Sequence, residues 1–439
     1  MSLNIRLLAK DITLHSYWFY WHNVALCVIL QTHILRICWN KTYHFNSTSQ
    51  EVNESMYFLM FLPGIVLSTI IHNRWSLRAG LLIAALMTTL GALIKLLASV
   101  HHWFLFIGQS LWGLANPSIV FASATVAVKW FEDSKRVLAL SIIVSLSYTA
   151  FINGFGFTTL LIDVIDQISE NNRIRILIIY SVKALFWAIV TIIFYCTFRS
   201  KPEHYPSESS CVYRDDDIVG TYRQLYLNSQ FMLLTFSNTF YYIMLCCIYY
   251  NFFHIWSIYG IEHSKAYNLR FIISVLGLFG SIALGVFLHY TKMYKTANIM
   301  TGVLSILSLV LLLILFPSHY IGLCFICAFY GFVKYQIVTI WYIYSIEIAY
   351  PLRETTVLGF INAHSTLAGH GIGFLSKYLM NKSTSKKSVY IFISLMWLCA
   401  AIGIILAWLM KPVSYQRIHR GDIGKRFVIL ILHRNWIIY

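Results

Sequence analysis

Long uncharged stretches recur along this sequence, and they limit what the chain can fold into more than any other feature. The run Gly108–Val128 contains no charged residue and is long enough to cross a bilayer as a helix. Its Asn116-Pro117 step would break a helix in water, whereas neighbouring spans can satisfy the freed backbone groups inside a membrane. The short turn WFEDSKR (130–136) carries both charge signs and precedes another apolar run. This segment therefore predicts a hairpin of two membrane-spanning helices.

Composition extends this interpretation to the whole chain. Of the 439 residues, 58% are hydrophobic and 11% are charged, and the mean hydropathy is +0.67. Soluble domains carry roughly 25% charged residues, so a soluble protein is excluded. A net charge of +16 would favour nucleic-acid binding in a soluble protein. Here Lys and Arg lie mostly in short loops, where they orient membrane spans, and no nucleic-acid partner is expected.

The apolar runs predict twelve helices, six on each side of one polar stretch. The predicted spans are about 16–39, 56–72, 79–100, 103–129, 137–163, 174–198, 230–259, 268–290, 297–316, 320–347, 355–379 and 388–410. The stretch 199–229 holds two prolines, clustered serines and an acidic run, which is typical of a solvated linker. We predict an all-α membrane protein with an N-terminal six-helix bundle (1–198), a cytosolic linker (199–229), a C-terminal six-helix bundle (230–410) and a cytosolic tail (411–439).

Two independent signals give the same orientation. An even number of spans with cytosolic termini places the loop over residues 40–55 outside, where its sequons predict glycosylation at Asn40, Asn46 and Asn53. The same orientation leaves most loop Lys and Arg on the cytosolic side, as the positive-inside rule requires. We expect a monomeric glycoprotein of the plasma membrane.

The two predicted bundles also share a short sequence similarity. WFEDSKRVLAL (130–140) aligns with YPLRETTVLGF (350–360), and each segment joins two predicted spans. Two parallel repeats of this kind enclose a site near the middle of the membrane, between the bundles.

Three segments resemble a known family. These are GQSLWGLANPSIVFASATVAVKWF (108–131), LGLFGSIALGVFLHYTKMYK (276–295) and SIEIAYPLRETTVLGFINA (345–363). They resemble the corresponding segments of the major facilitator superfamily and, within it, of the feline leukaemia virus subgroup C receptor-related transporters. The resemblance implies twelve helices in two pseudo-symmetric bundles and a transporter that works by alternating access.

The resemblance also indicates a class of solute. Members of that family carry choline and ethanolamine, and haem export has been proposed for them. The family's choline pocket uses aromatic faces, which attract quaternary ammonium groups, together with glutamines from spans 5 and 11. Tyr148 and Thr366 stand at those glutamine positions here, whereas Gln31 is kept. The residues expected to bind solute are Gln31, Tyr148, Tyr242, Asn362, His364 and Thr366.

Gating residues follow from the same resemblance. NRWSLR (73–78) occupies the place of the superfamily's characteristic turn between spans 2 and 3, with Asn73 where an Asp is usual. His289 replaces the equivalent Asp in the second half, which indicates a weaker or histidine-dependent latch. The residues expected to act in gating are Arg74, Arg78, Arg136, Glu347 and Glu354.

One further cation is unusual. Lys334 lies within predicted span 10 and replaces an apolar residue of the family. Charge inside a span is costly and is usually paired or functional. If Lys334 reaches the solute cavity, it would repel a cationic solute or bind an anionic one; the alternative is a lysine that does not contact the cavity.

The sequence favours a transporter of a small organic cation, of choline or ethanolamine type, by facilitated diffusion. Haem or another porphyrin is one alternative, with His364 as the candidate ligand. A non-transporting receptor or sensor on a transporter scaffold is another, because the pocket glutamines and gate aspartates are missing. No nucleophile–base pair, metal cluster or phosphate loop is evident in the sequence, so no enzymatic activity, metal or cofactor is expected.

Overall fold

The computed structural model describes residues 47–145, 172–198, 217–315, 320–382 and 385–411, with residues 200, 202, 206 and 207 between the second and third ranges. Predicted span 1, most of predicted span 5 and the tail beyond residue 411 lie outside the described residues. Where the chain is described, its regular elements are all helical.

The N-terminal half contributes five described helices. They are α1 (Ser47–Arg74), α2 (Leu77–Leu96), α3 (Trp103–Trp130), α4 (Arg136–Ser145) and α5 (Asn172–Thr197). A 3₁₀ turn, Leu97–Ser99, extends the end of α2. Ser76 caps α2 by accepting a hydrogen bond from the Ala79 amide, and this cap ends the two-residue turn after α1.

The second part of the chain contributes seven described helices. They are α6 (Ile218–Leu227), α7 (Ser229–Ile258), α8 (His263–Thr291), α9 (Tyr294–Leu315), α10 (Tyr320–Ile348), α11 (Glu354–Asn381) and α12 (Lys386–Leu409). The turns 75–76, 131–135, 292–293 and 349–353 lie at one end of the bundle. The sequence predicts this end to be cytosolic, and we call it the inner end.

The described helices confirm a membrane protein. Nine of them are long and apolar enough to cross a bilayer: α1, α2, α3, α5, α7, α8, α9, α10 and α12. Helix α11 is as long as these, but it carries Thr, Asn, His, Ser and Glu side chains along its length. Its polar side chains need protein neighbours rather than lipid, and α11 packs mainly on α7 and α1.

Helix α1 begins earlier than the apolar run suggested. The sequence predicted a loop over residues 40–55, yet the helix begins at Ser47 and includes Asn53. Hydropathy locates only the part of a helix that lies in lipid, and polar Gln, Glu and Asn are compatible with an extra helical turn outside it. The side chain of Asn53 is 0% exposed, and its glycosylation stays a prediction.

The predicted linker also contains a helix. Asp217, the last residue of the acidic run, caps α6 by accepting a hydrogen bond from the Gly220 amide at 3.0 Å. Thr221 and Leu225 are buried, and α6 packs on α7 and α11. Burial raises the pKa of the neighbouring Tyr222 hydroxyl to about 12. This part of the linker is therefore docked on the second half, and the four predicted domain boundaries remain predictions.

Helix α3 lies at the centre of the first half. Small residues allow it to pack against α1 and α2 along most of its length. Pro117 lies inside the continuous helix, as expected for a proline step that neighbouring helices support. One apolar core is built mainly from side chains of the second half, and helices α1, α3 and α4 of the first half also contribute side chains to it. The interface between the halves is therefore a packed surface in the described part of the chain.

Candidate functional site

Five aromatic side chains meet between the two halves, and we call them the aromatic cluster: Phe58, Tyr242, Tyr250, Trp341 and His370. Phe58 of α1 stacks on His370 of α11, with ring centroids 3.7 Å apart. Tyr242 and Tyr250 of α7 approach the same imidazole edge-on, at 5.7 and 5.8 Å. Trp341 of α10 packs edge-on against Tyr242 at 5.6 Å. Both halves thus supply rings to one site.

Hydrogen bonds fix the imidazole at the centre of the cluster. The Tyr250 hydroxyl lies 2.8 Å from Nδ1 of His370, and the Tyr242 hydroxyl lies 3.3 Å from Nε2. A neutral imidazole has one donor and one acceptor nitrogen, so both hydroxyls can be satisfied at once. His370 therefore sets the spacing between two tyrosine rings on α7.

Glycines allow α11 to approach α7 this closely. A Cβ atom at Gly369 would overlap the Tyr242 ring, and one at Gly373 would overlap the Tyr250 ring. A Cβ atom at Gly371, which shares the sequence pattern, would meet no atom within 4 Å among the residues that the structure describes. The contact with α7 therefore depends on two glycines spaced by four residues, which places them on one face of the helix.

Further side chains of the first half pack against Phe58, its member of the cluster. Tyr57 packs edge-on against Phe58 at 5.1 Å. The Asn116 amide donates a hydrogen bond to the Tyr57 hydroxyl, which ties α3 to the outer part of α1. Asn116, which belongs to the Asn116-Pro117 step noted in the sequence, thus holds Tyr57, and Tyr57 in turn packs against Phe58 of the cluster.

Three of the predicted solute-binding residues lie at or next to the cluster. Tyr242 belongs to it, and Asn362 and Thr366 precede His370 on α11 at intervals of four residues. Both are buried. Asn362 accepts a hydrogen bond from the Tyr342 hydroxyl at 3.2 Å and donates one to the Leu358 carbonyl at 2.7 Å. These residues form a polar stripe that runs from the cluster towards the inner end.

His364 occupies a different face of α11. Its ring stacks on Phe360 at 4.4 Å, and Nδ1 lies 2.8 Å from the Phe360 carbonyl. Nε2 lies 3.0 Å from the hydroxyl of Tyr226 on α6. Both ring nitrogens are engaged, and the ring packs against the docked linker helix; the predicted binding of solute by His364 stays a prediction. Gln31, Tyr148, Asn40 and Asn46 lie outside the described residues.

The inner end is closed by contacts between α1 and the start of α11. Arg353 donates to the carbonyls of Asn73 (2.9 Å) and His72 (3.0 Å). The Asn73 side chain donates to Thr356 and accepts from Thr355, both at 2.8 Å. The asparagine accepts one of these hydrogen bonds, as an aspartate could, and donates the other, which an ionised aspartate could not; it also lacks the negative charge of an aspartate. We call these five residues the inner gate.

The described contacts of two predicted gating arginines lie within the first half and, for Arg136, also with Ser207 of the linker at 3.4 Å; the gating roles of Arg74, Arg78 and Arg136 stay predictions. Arg78 donates to the Tyr195 carbonyl of α5 at 2.8 Å. Arg136 forms an ion pair with Asp133 at 2.6 Å and donates to the Val128 carbonyl at 3.1 Å. Arg74 is exposed. Arg353, which the sequence analysis did not single out, supplies the arginine of the inner gate.

The predicted gating carboxylates lie at the inner end of the second half. Glu354 is 2% exposed and begins α11, where the helix dipole favours a negative charge. Glu347 lies close enough to Lys292 to interact with its charge. Burial lowers the pKa of the Lys292 ammonium below its ordinary value, and the negative charge of Glu347 opposes that shift. Their roles in gating remain predictions.

The sequence of residues 23–374 matches the family model described as Major Facilitator Superfamily. This range covers most of the first half and the second half as far as residue 374, and it includes the aromatic cluster and the inner gate. The chain belongs to the Major Facilitator Superfamily. It is therefore, by family and by its apolar helices, a multi-pass membrane protein of a transporter class, and this class of proteins is not enzymatic.

Within the superfamily, the chain is similar to choline/ethanolamine transporters. It is 26% identical over 389 residues to the choline/ethanolamine transporter FLVCR1 of Felis catus, covering 84% of this chain and 66% of that protein. It is 24% identical over 329 residues to the choline/ethanolamine transporter FLVCR2 of Homo sapiens, covering 71% and 61%. The chain thus spans a little under two thirds of the length of these relatives.

A solved superfamily structure shares the fold. The crystal structure of the transporter FucP in its outward conformation superposes with a TM-score of 0.70 at 12% identity, covering 91% of this chain and 98% of that one. The predicted fold class, an all-helical major facilitator fold of two six-helix bundles, is confirmed.

Two members of the cluster could have been found from helical spacing alone. His370 follows Asn362 and Thr366 at intervals of four residues, and Tyr250 follows Tyr242 by eight, so each pair shares a helix face. Phe58 carried no such signal. Its role depends on how closely α1 approaches α11, which is a tertiary contact.

Proposed function

We propose that this superfamily member carries a small organic cation of choline or ethanolamine type between the two sides of the membrane by alternating access. The solute binds against the aromatic cluster and the polar stripe formed by Asn362 and Thr366. Gln31 and Tyr148 complete the set of binding residues in this proposal. The observation that carries it is the meeting of rings from both halves around His370.

Aromatic rings suit this solute for a physical reason. A quaternary ammonium group cannot donate hydrogen bonds, but the faces of Tyr, Trp and Phe attract it, with a contribution of about 0.5–2 kcal/mol per ring. Site residues drawn from both halves also couple binding to the relative motion of the halves. The printed names of the relatives, choline/ethanolamine transporters, point to the same class of solute.

The proposal includes facilitated diffusion rather than proton coupling. Helix α7 contains no Asp or Glu, and the acidic residues of α10 and α11, Glu347 and Glu354, lie at the inner end, away from His370. The solute's own gradient and the membrane potential would then supply the driving force, which is worth about 2.3 kcal/mol per charge per 100 mV. A plasma-membrane location with cytosolic termini, a monomeric state and glycosylation belong to the same proposal.

The test is equilibrium binding of radiolabelled choline to purified protein, comparing two substitutions at one position. Tyr242→Phe keeps the ring, so choline affinity should stay within about threefold of wild type. Tyr242→Leu removes the ring and should weaken binding by about tenfold, which corresponds to roughly 1.4 kcal/mol. Tyr378→Ala, at an exposed position of α11, serves as the control for losing a tyrosine. Equal choline affinities for Tyr242→Phe and Tyr242→Leu would contradict the proposal.

A further inference from the structure

Asn238 of α7 is a buried amide that the fold leaves without a partner. The side chain is 0% exposed. Neither its oxygen nor its nitrogen makes a hydrogen bond within the part of the chain that the structure describes. Buried amides are normally hydrogen-bonded, because they otherwise lose the bonds that they make with water in the unfolded chain. A group that supplies these bonds would therefore be held firmly at Asn238.

Other buried polar side chains of α7 have partners. Thr235 and Ser237 each donate to a backbone carbonyl, at 2.9 and 2.7 Å. Asn251, which is also 0% exposed, donates its amide to the Ser376 hydroxyl at 2.9 Å. These side chains link α7 to itself and to its neighbours, and Asn238 differs from them.

The position of Asn238 on α7 places it beside the aromatic cluster. Asn238 precedes Tyr242 by four residues, so the two lie on one face of the helix, about 6 Å apart along its axis. The hydroxyl of the next residue, Thr239, lies 3.0 Å from the hydroxyl of Ser365 on α11. Ser365 immediately precedes Thr366 of the polar stripe. Asn238 therefore lies on the inner side of the cluster, at the level of the polar stripe.

An amide complements a hydroxyl group. The amide nitrogen donates and the amide oxygen accepts, and a hydroxyl group does both. Choline and ethanolamine each carry a hydroxyl group two carbons away from the ammonium group. This short chain can join an ammonium group against the Tyr242 ring to a hydroxyl group at Asn238, since the hydrogen bond itself spans about 2.8 Å.

We propose that Asn238 hydrogen-bonds the hydroxyl group of the solute and makes the site select hydroxyethyl ammonium compounds over alkylammonium compounds of the same size. The aromatic rings attract the ammonium group of either class, so they do not distinguish between them. A site built to hydrogen-bond a hydroxyl group rejects an analogue that lacks it, because the site's own buried polar group then stays unpaired. This inference rests on the proposed function and adds a specificity residue to it.

The test compares choline with propyltrimethylammonium, in which a methyl group replaces the hydroxyl group. Both probes are titrated into the full-length protein in nanodiscs at constant ionic strength. Wild type should bind choline about tenfold more tightly than propyltrimethylammonium. Asn238→Leu, which is similar in size and cannot hydrogen-bond, should lose this preference through weaker choline binding. Its affinity for propyltrimethylammonium should stay within about threefold of wild type.

Two further variants separate the role of the amide from its effect on packing. Asn251→Leu removes the other asparagine of α7, which is buried and hydrogen-bonded, and should keep the preference for choline. Asn238→Ser keeps a donor and an acceptor in a smaller side chain, so its preference for choline should exceed that of Asn238→Leu.

The outcomes distinguish this inference from the proposed function. Wild-type protein that binds the two probes equally tightly would overturn the inference and leave the proposed function intact. A choline preference that persists in Asn238→Leu would overturn it as well, because another group would then hold the hydroxyl. An equal loss of preference in Asn251→Leu would attribute the effect to helix packing and also overturn it. Wild-type protein that binds neither probe would contradict the proposed function and the inference together.

Discussion

Lys95 shows how neighbouring side chains stabilise a buried charge in this fold. The side chain is 0% exposed, and its ammonium donates to the Gln109 side chain at 2.8 Å. The same nitrogen lies 3.4 Å from the centroid of the Trp112 ring. An acceptor and an aromatic face on α3 therefore both contact this lysine of α2 and link the two helices.

We predict that Gln109→Leu destabilises the protein by about 1–3 kcal/mol, because the buried ammonium loses its acceptor. Lys95→Met combined with Gln109→Leu should recover most of this loss, since no charge then remains to be satisfied. Thermal unfolding of the purified variants in detergent measures both. A double variant less stable than Gln109→Leu alone would show that the pair contributes in another way.

The residues of the site illustrate what the sequence determines and what it leaves open. Spacing along α11 places Asn362, Thr366 and His370 on one face, so this polar stripe could be predicted from the sequence. The partner of His364 could not, because Tyr226 lies on a helix within a segment whose composition indicates a solvated linker. The importance of Phe58 likewise depends on the approach of the two halves, which helical periodicity does not encode.

At the scale of helices, apolar runs predicted the described spans well and their ends less well. Burial in lipid requires a run of apolar residues, so hydropathy finds the membrane-spanning core of each helix. Polar turns beyond the lipid, such as Ser47–Met56 of α1, depend on capping and local packing instead. Helix α6 depends on its Asp217 cap and on docking against α7 and α11, neither of which produces a long apolar run.

The contact between α11 and α1 at the inner end leads to an element-scale prediction. A Cβ atom at Gly359 would lie 2.8 Å from the Thr69 hydroxyl oxygen and 3.6 Å from side-chain atoms of Ile65 and Phe121. Gly359→Val should therefore force the helices apart and reduce solute uptake by at least tenfold in cells, with the protein still expressed. Gly371→Val, on the same helix at a position where an added Cβ would meet no described atom within 4 Å, should behave like wild type. Equal uptake by both variants would contradict this role of Gly359.

The inner gate leads to a second prediction at this scale. Arg353→Gln removes the charge that holds two carbonyls at the end of α1, so the inner end should open more often. Spin labels at the exposed positions Trp75 and Tyr290, in a background without native cysteines, report the distance between the halves there. We expect a larger population of long distances for Arg353→Gln than for wild type. Arg74→Gln, an exposed neighbour of the gate, should leave the distance distribution unchanged, and a similar shift in both variants would argue against the gate.

At the scale of the whole molecule, one relative movement of the two halves changes both the aromatic cluster and the inner gate. The aromatic cluster takes rings from both halves, and the inner gate joins the same two halves at one end. A relative rotation that opens the inner gate must also change the contact between Phe58 and His370, so opening of the gate and rearrangement of the binding site are coupled. This coupling is the physical content of alternating access in this fold.

The most direct measurement is flux of radiolabelled choline and ethanolamine into proteoliposomes that contain the purified protein. The account predicts saturable uptake that increases with an inside-negative membrane potential, does not require a pH gradient, and falls at least tenfold in Phe58→Leu. Folded protein that gives no flux of either solute, or Phe58→Leu protein that transports like wild type, would contradict the claim that a cation crosses through the aromatic cluster.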